Sequence, residues 1–157
     1  MANTQAFCTS AKPELLNAVH QFGSPTITSR TSLTAPTADT FKGALYFATA
    51  TYNASTTAYS STGEVANSGS YTAGGIAFTF GTAPTSSGTT GYVTPSASWT
   101  TGPGFSAAAF DTILMYNSTQ GNKAFAVFTF GSQTIVSGTF TLTMPTNDAT
   151  NALIRIA

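Results

Sequence analysis

From residue 41 onward the chain is a succession of short apolar runs separated by glycine, proline and asparagine. The runs Phe41 to Thr51, Gly75 to Phe80, Gly91 to Thr94, Thr112 to Tyr116, Ala124 to Phe130, Thr134 to Met144 and Ala152 to Ile156 are strand-sized and rich in aromatic and β-branched side chains. Turn signals fall between them at Gly63, Gly74-Gly75, Pro84 with Gly88, Gly102-Pro103-Gly104, Gly121-Asn122, Gly131 and Pro145. The clearest alternation sets Val136, Gly138, Phe140, Leu142 and Met144 against Ser137, Thr139, Thr141 and Thr143, which predicts a strand with one wet face. Residues 124–130 are almost continuously apolar and predict a central strand covered on both sides, so Phe125, Val127, Phe128, Phe140 and Leu142 are the expected core. Seven or eight such strands predict an all-β chain, an antiparallel β-sandwich of which a jelly roll is one form. There is no repeat with a period of about 20 to 50 residues, which sets solenoids and propellers aside.

The N-terminal part reads differently. Leu15, Leu16, Val19 and Phe22 make one apolar stripe at helical spacing, which predicts a single α-helix over residues 11–22. Ser10 can cap its start, Pro13 is tolerated in its first turn, Glu14 suits its positive end, and Gly23 with Pro25 stops it. Residues 24–40 are mostly Ser, Thr and Pro around Ile27 and Leu33 and are expected to be an extended arm or long loop. A length of 157 residues fits one domain over residues 1–157.

Composition narrows the function classes. Charged residues are 6% of the chain and Lys+Arg 5 balances Asp+Glu 5, so attraction to nucleic acid or to an anionic membrane is not expected as an activity. Hydroxyls take the place of charge: 31 Thr and 17 Ser make the surface polar but neutral. A net charge near zero removes the repulsion between copies and favours self-association. The single cysteine, Cys8, cannot close an internal disulfide, which fits a reducing cytosol, and no secretion signal or membrane span is expected.

Catalytic and metal chemistry find little support. His20 is the one histidine; beside Val19 on the expected helix it reads as partly exposed. Cys8 could pair with His20 as a thiol nucleophile, but no nucleophile motif surrounds it. The carboxylates Glu14, Asp39, Glu64, Asp111 and Asp148 are scattered and read as cap or turn residues, although sequence leaves open a meeting of two of them across a hydrolase cleft. Tyr71-Thr72-Ala73-Gly74-Gly75 lacks the following lysine and helix of a phosphate loop and reads as a turn into a strand. Asn53-Ala54-Ser55 and Asn117-Ser118-Thr119 match the glycosylation pattern at chance frequency. No enzyme activity, metal or cofactor is expected. Tyr92, Trp99 and Phe105, flanked by Gly and Pro, fit either core filling or an exposed aromatic contact surface.

Gly43-Ala44-Leu45-Tyr46-Phe47, Thr56-Thr57-Ala58-Tyr59, Gly63-Glu64-Val65 and Tyr71-Thr72-Ala73-Gly74-Gly75 have a familiar look. Together with Met115-Tyr116-Asn117-Ser118-Thr119, Asn122-Lys123-Ala124 and the ending from Asn151 to Ala157, they resemble small virion structural proteins of tailed bacteriophages. The likeness covers most of the chain from Phe41 and transfers no catalytic residue. It implies a virion protein assembled in the bacterial host cytoplasm, in contact with the major capsid protein or other virion proteins. Small size and the absence of repeats favour a capsid decoration or cement protein over a tail or fibre component. In the capsid reading, residues 24–40 would be an arm laid across a neighbouring subunit. The alternative from another class is a carbohydrate-binding β-sandwich module, for which Tyr92, Trp99 and Phe105 are the warrant.

Overall fold

The structure, a computed structural model, describes residues 3–11, 15, 19–20, 22–23, 37–96 and 98–156. Among these residues ten strands follow in order: β1 (Ala6–Phe7), β2 (Phe41–Phe47), β3 (Ile76–Phe78), β4 (Thr85–Ser87), β5 (Thr90–Val93), β6 (Trp99–Thr100), β7 (Phe105–Asn117), β8 (Lys123–Gly138), β9 (Thr141–Leu142) and β10 (Ile154–Ile156). All pairings are antiparallel, in a five-stranded sheet of order β1-β8-β7-β2-β3, a three-stranded sheet β10-β5-β4 and the pair β6-β9. The expectation of an antiparallel all-β chain holds. Among the described residues no helix is long and apolar enough to cross a membrane.

The spine is a two-stranded ribbon. β7 and β8 pair from Asn117–Lys123 to Phe105–Gly138, and β6 with β9 continues the same ladder, from Thr100–Thr141 to Trp99–Leu142. In the gap the Thr101 N–H donates to the Phe140 carbonyl at 2.9 Å and the Phe140 N–H donates to Thr101 Oγ1 at 2.9 Å. The closing turn falls where Gly121-Asn122 signalled it, with φ of 67° at Gly121 and 60° at Asn122. β2 lies on the other side of β7 and is buried along most of its length, as its FKGALYF sequence requires. Gly43 in β2 admits no side chain, because a Cβ there would stand 2.4 Å from the Phe78 ring on neighbouring β3.

Aromatic side chains fill both ends of the sheet. Phe22 stacks on Phe41 at 4.6 Å between centroids, and Phe80 and Phe125 meet the pair edge-on. At the other end Phe110 is fully buried among Phe105, Phe130 and Phe140, with centroid separations of 5.7, 5.9 and 5.1 Å.

Several expectations need correction. Gly131 is not a turn; it lies inside β8, which runs unbroken to Gly138. Val136 does not share a face with Phe140: it is 85% exposed, whereas Phe140 packs on the core. The cause is an extra residue in β8 opposite Ser106, with Ser137 at φ 51° and its N–H bonded to Ser106 Oγ at 2.8 Å, which resets the alternation. The helix expected over residues 11–22 is not seen as an element. Ala11 and Leu15 have helical backbone, Val19 and His20 do not, and the remainder lies outside the described residues except Phe22 in the aromatic cluster. The arm expected over residues 24–40 also lies outside them, apart from residues 37–40 ahead of β2.

Truncating the buried ring in Phe110→Ala is expected to lower the unfolding free energy by about 3–5 kcal/mol. Val136→Ala should stay within about 0.5 kcal/mol of the parent. Urea midpoints read both, and a comparable loss in Val136→Ala would return Val136 to the core.

Candidate functional site: a buried glutamate among tyrosines

The connection between β2 and β3 contains no strand, yet it is held in place through one carboxylate. Glu64 is 9% exposed and is the one charged residue between Lys42 and Asp111. A buried carboxylate is costly unless donors surround it. Here Oε1 accepts from the Tyr71 hydroxyl and the Gly74 N–H, and Oε2 from the Tyr59 hydroxyl, all at 2.7 Å. The Tyr71 hydroxyl in turn accepts the Leu45 N–H at 3.0 Å, which links β2 to the carboxylate.

Three more tyrosines complete the cluster. The Tyr46 hydroxyl donates to the Ser60 carbonyl at 2.6 Å, Tyr52 reaches the carbonyls of Ser60 and Thr62 at 3.1 Å, and Tyr116 donates to the Gly74 carbonyl. Tyr59 stacks on Tyr116 at 4.7 Å between centroids, and Tyr46 lies 3.9 Å from Tyr52. Five of the six tyrosines of the chain thus gather around one acid.

Burial, followed by the hydrogen bond to Glu64, pushes the Tyr59 and Tyr71 phenols well above their ordinary range. Burial also raises Tyr46 and Tyr52, and it raises Tyr116 with help from the Glu64 charge. Such phenols keep their protons at neutral pH and act as donors. With both Glu64 oxygens engaged by donors from Tyr59, Tyr71 and Gly74, the cluster ties chain segments together.

A second polar cluster holds the β7–β8 turn. Asn117, fully buried, accepts the N–H groups of Thr119 and Gln120 on Oδ1 at 3.1 Å. Its Nδ2 donates to Asp39 at 2.7 Å and lies 3.2 Å from His20 Nδ1, while Gln120 Nε2 donates to the other Asp39 oxygen at 3.0 Å. His20 is therefore not a partly exposed helix residue: it is buried against Asn117 with its ring 5.3 Å from that of Phe125. The burial of Asn117 also removes it as a glycan acceptor.

Other singled-out residues fall elsewhere. Cys8 is buried beside β8, its N–H bonded to the Phe125 carbonyl at 3.1 Å. Asp111 accepts from Asn3 and Thr112 at 2.8 and 2.7 Å. Asp148 is a turn residue as expected: it accepts the N–H groups of Thr150 and Asn151, and its bonds to Asn151 hold its carboxyl below the usual range. Glu14 lies outside the described residues. Among the described residues no three His, Cys, Asp or Glu side chains are grouped to hold a metal ion.

Of the two readings of Tyr92, Trp99 and Phe105, core filling describes Trp99 and Phe105. Trp99 and Phe105 are 5% and 0% exposed, both edge-on to Tyr71, because the turn at Gly102-Pro103-Gly104 folds both ends of the loop onto the core. Tyr92 is half-buried on β5, apart from them, where with Leu15, Phe22, Val93, Ile154 and Ile156 it lines an apolar groove of about 220 Å³. A neighbouring groove of about 280 Å³ between β1, β8 and β10 shares Phe125, Ile154 and Ile156 and adds Phe7 and Leu153. Phe7 and Ile156 are 37% and 62% exposed, so two of the three large apolar side chains that are open to solvent among the described residues meet here.

Glu64→Ala would leave two phenols and one amide without their acceptor and is expected to cost about 2–4 kcal/mol, with a smaller loss for Glu64→Gln. The raised tyrosines fix the sign of the alkaline limb. Their folded values lie above the ordinary one, so their contribution is complete below about pH 10 and is lost as pH rises from there towards the folded values. A 295 nm titration should show these phenols ionising in one steep step together with loss of the far-ultraviolet dichroism. Gradual ionisation around pH 10 in a folded chain would contradict their burial.

No protein-family model matches this chain, and no curated protein or solved structure is significantly similar to it.

Proposed function

We propose that the protein is a structural component of a tailed-phage virion, a capsid decoration or cement protein whose sheets stack as a β-sandwich and which stabilises the assembled head. The observation that carries this reading is the resemblance of the segments between Gly43 and Gly75 and between Met115 and Ala157 to virion proteins of this kind. The surface chemistry supports it. With charged residues at 6% of the chain, a contact must rest on apolar burial and neutral hydrogen bonds, and the groove at Phe7 and Ile156 offers apolar area for it. Assembly takes place in the host cytoplasm and the mature location is the virion. The carbohydrate-binding reading loses its warrant with the burial of Trp99 and Phe105.

Particles lacking the protein, incubated with it and pelleted, should retain it equally in low and in molar salt, and should rupture at a higher temperature. Screening shortens from about 10 Å at 0.1 M to about 3 Å at 1 M salt and weakens exposed ionic contacts, whereas apolar burial does not weaken in that way. Ile156→Glu should reduce retention at least about tenfold, the equivalent of about 1.4 kcal/mol. Labelling confined to the tail of whole virions would replace the capsid assignment with a tail one, and release at molar salt would reject the apolar contact.

A further inference from the structure

We infer that the outer edge of β8, around Gln133 to Val136, pairs with the same edge of a second copy of this chain, antiparallel about a two-fold axis. β8 outruns its outer neighbour. Among the described residues β1 pairs with it at Ala126 and Val127 alone, and from Phe128 to Gly138 its one strand partner is β7. The other side of this stretch is a row of backbone groups of the kind that pairs with another strand unless something prevents it. Beside it the Gly131 carbonyl, in a stretch with no β7 partner, accepts from Gln133 Nε2 at 2.9 Å.

Two of the usual guards, charge and proline, are missing. No charged residue occurs between Lys123 and Asp148, and no proline between Pro103 and Pro145. Thr134 is exposed, and Val136 at 85% is the most exposed of the described large apolar side chains. Neutrality also selects the occupant. In a two-fold antiparallel pairing each side chain meets the copies of its own neighbours, so any charge on the edge would face a like charge across the axis. An edge without charge is complementary to itself, and nothing on it favours a charged partner.

The register shifts on both sides of Gln133 and the left-handed Ser137 limit the straight stretch to a few residues. The interface is therefore small and the dimer weak, of the order that many copies held side by side would reinforce. The inference is independent of whether the protein belongs to a virion, since it concerns the isolated chain.

Sedimentation of the full chain across a concentration series tests it. The parent should dimerise at or below about 100 µM, and Val136→Asp and Thr134→Lys, both at exposed positions, should each raise the dissociation constant at least about tenfold. Thr89→Lys, on the exposed β4–β5 turn away from this edge, should leave it unchanged. Thermal melts of the variants would show that they remain folded. Among single cysteines at Ser132, Thr134 and Val136, at least one should give an interchain disulfide under mild oxidation, with Cys8 buried. A parent monomeric throughout the series overturns the inference. So does a dimer indifferent to both edge charges, or one weakened as much by Thr89→Lys.

Discussion

β7 is shared by two long ladders, with β8 on one side and β2 on the other, and the packing of the domain follows from that arrangement. Because both edges of β7 are occupied, residues 112–117 are buried on both faces, and they can be so only because their backbone groups are satisfied laterally. The burial of Ile113, Leu114 and Met115 thus presupposes the register with Leu45, Ala44 and Gly43. That register in turn brings Gly43 under the Phe78 ring and Leu45 to the Tyr71 hydroxyl. The Glu64 cluster is the downstream result: once β2 is fixed against β7, the following loop has a fixed surface on which to close.

The parts of this arrangement legible in the sequence are those governed by local chemistry. Apolar runs located β2, the second part of β7 at residues 112–116 and the inner half of β8, and Gly121-Asn122 located the turn between the last two, since a left-handed pair of residues needs those types. The outer half of β8 departs from its alternating pattern for a definable reason. Perfect alternation from Val136 to Met144 presumes an unbroken pleat, but the extra residue opposite Ser106 is a property of two strands together and leaves no mark on one of them. The aromatics at 99 and 105 have the same ambiguity: a ring next to Gly and Pro can turn in or out, and the loop conformation decides.

The tyrosine cluster was not legible because Tyr46, Tyr52, Tyr59, Tyr71 and Tyr116 share no spacing, and tertiary closure alone assembles them. One signal was available. An isolated acid in a long uncharged stretch, in a chain unusually sparing of charge, has either an exposed role or a strongly paired buried one, and Tyr59 and Tyr71 supply donors for the second. His20 behaves likewise. Its single occurrence argued against catalysis, but its burial depends on Asn117, almost a hundred positions later in the chain.

The first strand has a consequence for how the chain comes into being. Ala6 and Phe7 find their places only beside Val127 and Ala126, so the first strand of this sheet to be made has its partner 121 residues downstream, counted from Ala6 to Val127. At about 5–20 residues per second, this strand waits roughly 6 to 24 seconds for the strand it joins. The five-stranded sheet therefore cannot be completed from its first strand onward during synthesis. It closes last at its first-made edge, and until then the Phe7 side chain and the outer side of Val127 remain available to whatever else is nearby.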